Sequence, residues 1–187
     1  GSGLVGSEMC IRDRVNMMEI EKWLNDVLEK KNKRAMPIIT FPAATKLNIS
    51  VKKLINDTDQ QVAALKIIKE ECNPLAILGF MDLSVEAECF GAEIKVTDNE
   101  VPTVVGQLIE DEDDAQALKV PAVGSGRSQL YIDAIKKTKA EIKDIPILGG
   151  CIGPFSLAGR LMDVSEAMIN CYEEPEMVHI VLELSLI

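Results

Sequence analysis

An α/β fold is predicted from three features of the chain. Apolar runs of four to six residues, Pro37–Phe41, Leu75–Phe80 and Ile145–Leu148, have the length of strands. They are apolar throughout rather than alternating, as strands buried on both faces are. Amphipathic stretches with helical spacing alternate with them, and parallel strands covered by helices bury both kinds of element. Of the 187 residues, 47% are hydrophobic and 27% charged, which supplies the apolar mass for one sizeable core.

The elements follow in order. Met17–Lys30 places Ile20, Trp23, Leu24, Val27 and Leu28 in the i, i+3, i+4, i+7, i+8 stripe of a helix lying on a core. Pro37–Phe41 is predicted as a strand bounded by prolines, and Asn56–Cys72 as a helix with a Thr58-Asp59-Gln60-Gln61 capping box. Leu75–Phe80 is a second strand, ending at Met81-Asp82, and Leu83–Phe90 a short helix closed by Gly91. Glu93–Thr97 and Val101–Val105 alternate apolar and polar residues around Asp98-Asn99-Glu100, the pattern of a hairpin. The acidic run Glu110–Asp114 reads as a helix start, where negative charge complements the helix dipole; a calcium loop would need a Gly and a closing Glu that are missing. Tyr131–Lys143 is amphipathic, with Leu130, Ala134, Ile135 and Ile142 on one side. Ile145–Leu148 is a strand leading through Gly149-Gly150-Cys151-Ile152-Gly153 into a helix with Pro154 near its first position, and two helical stretches follow, Ser165–Tyr172 and Pro175–Glu183.

Charge and composition exclude several classes of function. A formal charge of -10 would repel a phosphate backbone or an anionic membrane surface, so no nucleic-acid or membrane partner is expected. No apolar run has the roughly 20 residues of a membrane span, and the N-terminus lacks the apolar core of a signal peptide, which predicts a cytoplasmic protein. Cys10, Cys72, Cys89, Cys151 and Cys171 show no CxxC spacing and are expected as reduced, mostly buried thiols. His179, the single histidine, has apolar neighbours and reads as a packed or edge residue; with no joint ligand spacing between it and the cysteines, no metal site is expected in this chain. Residues 1–14, GSGLVGSEMCIRDR, have neither helical nor strand period and resemble translated sequencing-adapter sequence, as does LSLI at 184–187. Both are set aside as non-native. The roughly 169 residues from 15 to 183 are too few for a (β/α)8 barrel of about 250, so half of one is the expected architecture.

Three segments carry a family resemblance. Arg34-Ala35-Met36-Pro37 leads into the first strand, Met81-Asp82-Leu83 ends the second and runs on to Phe90-Gly91-Ala92-Glu93, and Pro146–Asp163 reads PILGGCIGPFSLAGRLMD. Together they resemble the uroporphyrinogen decarboxylase superfamily, and Gly153-Pro154-Phe155-Ser156-Leu157 is most similar to its methylcobamide:coenzyme M methyltransferase branch. The resemblance implies the N-terminal part of a TIM barrel, inactive by itself. The parent enzyme would move a methyl group from a corrinoid protein to a small thiol such as coenzyme M, activated by zinc whose His-Xaa-Cys and later Cys ligands belong to the C-terminal half. A decarboxylase of porphyrin biosynthesis and a non-catalytic corrinoid-binding protein are the alternatives. The decarboxylase grips its eight carboxylates partly with an Arg-Gln-Ala-Gly-Arg motif, where this chain has Phe41-Pro42-Ala43-Ala44-Thr45-Lys46; one Lys does not replace two bidentate guanidinium forks. Arg160 stands where the decarboxylase carries a Tyr.

The resemblance also nominates site residues. Asp82, at the C-terminal end of a strand, is the catalytic candidate, with helix capping as its structural alternative. Phe41, Lys46, Gly153, Pro154 and Phe155 are the substrate-binding candidates. Gly149–Gly153 is either a tight turn or a set of N–H groups for an anion, such as the sulfonate of coenzyme M, at a helix N-terminus. Gly124-Ser125-Gly126-Arg127 is read as a connecting loop.

Overall fold

The computed structural model describes residues 20–186. The chain divides into two compact units, one ending at Ala35 and one running from Met36 to Ile187. In the first, residues 20–29 form helix α1. Lys33 Nζ donates to the carbonyls of Val27 (2.9 Å) and Leu28 (3.0 Å), filling acceptors that a helix end leaves open. The helix expected over this stretch is present from residue 20 on; Met17–Glu19, Cys10, the tail 1–14 and Ile187 lie outside the described residues.

The second unit begins with two short helices, α2 (Ala43–Leu47) and α3 (Val51–Ile55), and the long α4 (Thr58–Cys72). Asp57, not Thr58, caps α4: its Oδ1 accepts from the N–H groups of Asp59 (2.9 Å) and Gln60 (3.2 Å), and its charge lies at the positive end of the helix dipole. Strand β1 (Ile77–Leu78) leads to α5 (Val85–Phe90), which Gly91 closes at φ 107°, and to the expected antiparallel hairpin of β2 (Glu93–Lys95) and β3 (Thr103–Val105) with Ile94 opposite Val104. In α6 (Glu112–Ala117) the acidic run does start a helix: Asp111 Oδ1 accepts from the N–H of Asp114 (3.0 Å). Helix α7 (Ser128–Glu141), strand β4 (Ile147–Leu148), α8 (Pro154–Met162, with Pro154 in its first turn), α9 (Val164–Glu173) and α10 (Pro175–Leu184) complete the chain.

Strands β1 and β4 pair in parallel, Ile77 with Ile147 and Leu78 with Leu148, as fully apolar runs separated by helices should. Bonds from Ile77 N–H to the Pro146 carbonyl (2.9 Å) and from Gly79 N–H to the Leu148 carbonyl (2.8 Å) hold the ladder. A side chain at Gly79 would bring its Cβ to 2.6 Å from Ile135 Cδ1 on α7 and 3.4 Å from the Leu148 carbonyl. The ladder is shorter than the apolar runs that contain it.

Two expectations are corrected. Pro37–Phe41 is not a strand: residues 36–40 have no regular structure, Ile38 and Ile39 are exposed, and the segment turns into α2 through Ala43 N–H to the Thr40 carbonyl and Ala44 N–H to the Phe41 carbonyl. A strand needs a neighbour for its N–H and C=O groups, and no strand pairs with this segment among the described residues. Nor are the thiols mostly buried: Cys72, Cys151 and Cys171 are exposed and Cys89 is half-buried. Cys72 is the last residue of α4, Cys151 lies in the loop after β4, and Cys171 is exposed within α9.

The core has two centres. Leu54, Ile55, Leu65, Ile77 and Phe80 pack where α2, α3 and α4 meet β1. Leu157, Leu161, Met162, Met177, Val178 and Val181 join α8 to α10, with Ile109 and Ala115 added from the α6 side. Among the described residues no helix is long and apolar enough to cross a membrane.

Asp163 links α8 to α9 at φ 73°, ψ 144°, a backbone state that residues other than glycine take at a cost of about 1–3 kcal/mol. Its Oδ1 repays part of this by accepting from Ser165 N–H (2.8 Å). Glycine is only a few tenths of a kcal/mol poorer than aspartate as a cap. Asp163→Gly is therefore expected to stabilise the protein by roughly 1 kcal/mol, whereas Asp163→Ala loses the cap, keeps the strain and destabilises it by about as much. Melting midpoints of the two variants check the order; an alanine variant more stable than the glycine variant would contradict it.

Candidate functional site

The parallel ladder aims two loops the same way: Gly79-Phe80-Met81-Asp82 after β1, and Gly149-Gly150-Cys151-Ile152 after β4. Loops at the C-terminal ends of parallel strands are where sites of α/β sheets form. Here they wall a cavity of about 580 Å³, within the range of small-molecule sites. Leu65 and Phe80 bring one core centre to its wall and Leu157 the other, so most of the lining is apolar.

Asp82 stands at this wall, buried, as the hub of a polar network. Its Oδ1 accepts from Ser84 N–H (3.0 Å) and Ser84 Oγ (2.5 Å). Its Oδ2 accepts from Arg127 Nη1 (2.7 Å) and from the Tyr131 hydroxyl (2.8 Å). The guanidinium also donates from Nη2 to Ser84 Oγ (3.0 Å) and from Nε to Glu88 Oε2 (2.5 Å). A carboxylate has about four lone-pair sites, and protein donors fill all of those on Asp82. Burial works against the charge of Arg127, but the hydrogen bond and attraction of Asp82 outweigh it and raise the pKa. Burial, then the adjacent negative charge of Asp82 and its hydrogen bond, push the Tyr131 hydroxyl far above the ordinary tyrosine value, so the phenol stays a donor.

A second carboxylate lines the cavity. Glu86 Oε1 accepts from the N–H of Ile152 (3.1 Å), tying α5 to the loop after β4.

The other candidates are spread more widely. Phe41 meets Phe80 edge to face (centroids 5.7 Å apart) and Phe80 meets Tyr131 likewise (6.4 Å), so an aromatic row connects Phe41 to the site. Lys46 is exposed and pairs with Glu71 on α4 (3.0 Å), away from the cavity lining. Gly153 is the N-cap of α8, Pro154 is half-buried and Phe155 is 48% exposed; the cavity is lined by their neighbours Ile152 and Leu157 instead. His179 is exposed on α10. No group of three or more His, Cys, Asp or Glu side chains could hold a metal among the described residues.

Sequence reasoning missed Arg127, Tyr131, Ser84 and Glu88. The signal was present: Arg127 and Tyr131 are four apart at the head of α7, Ser84 and Glu88 four apart on α5, and such spacing puts each pair on one helix face. A buried Asp82 also requires a cation, which the reading of residues 124–127 as a plain connection did not ask for.

Comparison with known proteins matches these elements. Residues 32–186 fit the model of the family described as uroporphyrinogen decarboxylase. A methylcobamide:CoM methyltransferase, MtbA, from Methanosarcina acetivorans is 39% identical over 82 residues, which are 43% of this chain and 24% of that protein. MtbA from Methanosarcina mazei is 34% identical over the same shares. A solved methyltransferase from Methanosarcina mazei superposes with a TM-score of 0.73 at 20% identity, covering 83% of this chain and 48% of that one; it shares the α/β fold, and this chain spans about half its length. Since the family match takes in both loops that build the cavity and runs from before α2 to the end of α10, the chain belongs to the uroporphyrinogen decarboxylase family.

Proposed function

We propose that the chain is the N-terminal half of a (β/α)8-barrel methyltransferase, preceded by non-native residues at 1–14, that works in the cytosol; the family match through residue 186 speaks against a non-native end at 184–187. The enzyme moves a methyl group from a methylcobamide-bearing corrinoid protein to a thiol, with coenzyme M, named for both curated relatives, as the acceptor. Zinc would lower the thiol pKa and so supply a thiolate nucleophile. The described residues do not fit zinc, having no cluster of ligands, so this half contributes walls and positioning.

The observation that carries this reading is the poverty of positive charge around the cavity. A porphyrinogen with eight carboxylates needs guanidinium or ammonium partners. Among the described lining residues Lys136 is the one basic side chain, and it is exposed. Ala43 and Ala44 are buried in α2 in the segment that carries arginines in the decarboxylase, and Arg127 is committed to Asp82, Glu88 and Ser84. An apolar cavity suits a small thiol better than an octa-acid. In this reading Asp82 has no lone pair left for a substrate and is a positioning residue: through Ser84, Arg127 and Tyr131 it fixes the turn after β1 against the head of α7.

In the complete barrel protein, methylated corrinoid protein plus coenzyme M should give methyl-coenzyme M, and uroporphyrinogen should be turned over poorly. Efficient decarboxylation with no thiol methylation would reverse the assignment.

Removing one partner of a buried ion pair leaves the other charge uncompensated, at about 3–5 kcal/mol. Asp82→Asn and Arg127→Gln should each lower the unfolding free energy by that scale, and the double variant by less than the sum of the two, as denaturant titrations of a double-mutant cycle will reveal. Additive losses would mean that the two side chains do not act as a pair.

The raised Tyr131 pKa has a definite sign. The folded state holds the phenolic proton more tightly than the unfolded state, so this stabilisation is complete below the unfolded value of about 10 and is lost as pH climbs from there towards the folded value. In a Tyr172→Phe variant, which leaves Tyr131 as the one tyrosine, phenolate absorbance should appear only above pH ~10 and together with unfolding. A reversible titration near pH 10 in the folded state would place Tyr131 in water instead.

A further inference from the structure

Helix α9 turns its small residue inwards and its large ones out. Ala167, 1% exposed, packs into the core that joins α8 to α10. Val164, Met168 and Tyr172 follow one another at i, i+4 and i+8 along the outer face, with Ile169 beside them. All four are exposed, Met168 at 63% and Tyr172 at 92%. A surface helix ordinarily puts polar side chains opposite the core, and α9 does not. Single exposed apolar residues need no explanation, but a contiguous stripe marks a contact surface, and Met and Tyr are enriched in protein interfaces.

The charge around the stripe narrows what can cover it. Residues 161–187 contain no Lys or Arg. Their carboxylates, Asp163, Glu166, Glu173, Glu174, Glu176 and Glu183, are exposed and have no ion pair among the described residues. A two-fold contact between copies would set this surface against itself, carboxylates facing carboxylates, and an anionic lipid surface would meet the same repulsion. We propose that the outer face of α9 is a docking site for a protein partner that presents an apolar ridge flanked by Lys and Arg side chains. Val164, Met168, Ile169 and Tyr172 take the ridge, while the carboxylates, with Glu166 and Glu173 on α9 itself, take the flanking cations. The inference goes beyond the proposed function and holds whichever reaction the cavity supports.

Two synthetic helical peptides with the same leucine stripe, flanked by lysines in one and by glutamates in the other, serve as probes for the full chain, with binding followed at the α9 amide resonances. The lysine peptide should shift those resonances and protect the exposed Cys171 of α9 from a maleimide; the glutamate peptide should do neither. Added salt should weaken the lysine peptide by screening the carboxylates. Joint Met168→Ser and Tyr172→Ser substitution leaves every charge in place and should weaken it about tenfold, the scale of one interface hot spot. Both positions are exposed, so the melting midpoint should hold; if it does not, the contrast between the two peptides on the unmodified chain still decides. Equal binding of the two peptides, lysine-peptide binding that survives the double substitution, or self-association of the chain that the double substitution abolishes would each overturn the proposal. So would a Cys171 that resists the maleimide in the complete barrel protein, because the rest of that protein would then be what covers α9.

Discussion

The ion pair between Asp82 and Arg127 is the interaction on which the arrangement of the site depends. The Asp82 side chain is wholly buried and that of Arg127 is 9% exposed, so both charges have given up water. That loss is recovered through hydrogen bonds: both oxygens of Asp82 are filled, and the guanidinium of Arg127 donates to Asp82, Ser84 and Glu88. The network is not a local ornament. It joins the continuous stretch from the turn after β1 into α5 to the first turn of α7, about 40 residues further along the chain. A buried network of this kind specifies one geometry more sharply than apolar contact does, because its bonds are directional and losing one leaves a buried polar group without a partner.

Most helices were legible in the sequence because their evidence is local. The acidic start of α6, Gly91 after α5 and Pro154 at the head of α8 each act within one turn of the chain. Strands were less legible since an apolar run does not say whether it will find a neighbour. Leu75–Phe80 and Ile145–Leu148 found each other, whereas Pro37–Phe41, of similar composition, has no partner among the described residues and turns into α2. The site was visible at Asp82, whose place at a strand end is a local feature, and hidden at Arg127, whose role depends on a contact 45 residues back along the chain. The cysteines misled because the frequency with which thiols are buried says nothing about the position of a particular one: Cys72 ends a helix, Cys151 lies in a loop and Cys171 is on an exposed part of α9.

Family membership and chemistry rest on different parts of the molecule. The ladder, the two core centres and the Asp82 network belong to the scaffold and would serve a lyase as well as a transferase. The cavity walls are a separate set of side chains: a half-buried Cys89 donating to the Ser125 carbonyl (3.1 Å), and Glu86 latched to the loop after β4. Loops on a rigid frame can exchange such side chains without disturbing the frame, so one barrel can host different reactions.

Gly79 sets a limit on that freedom. The cavity floor at the end of β1 is bare backbone, and Ile135 of α7 closes over it at a distance that leaves no space for a methyl group unless Ile135 moves. A mutation that adds a side chain there pushes the end of Ile135 aside and so changes the cavity from below. The floor is therefore a poor place for gradual change. Evolutionary diversification of this pocket should run along its rim, through the loops at 121–125 and 149–152 and the outer face of α5, while the glycine below stays fixed.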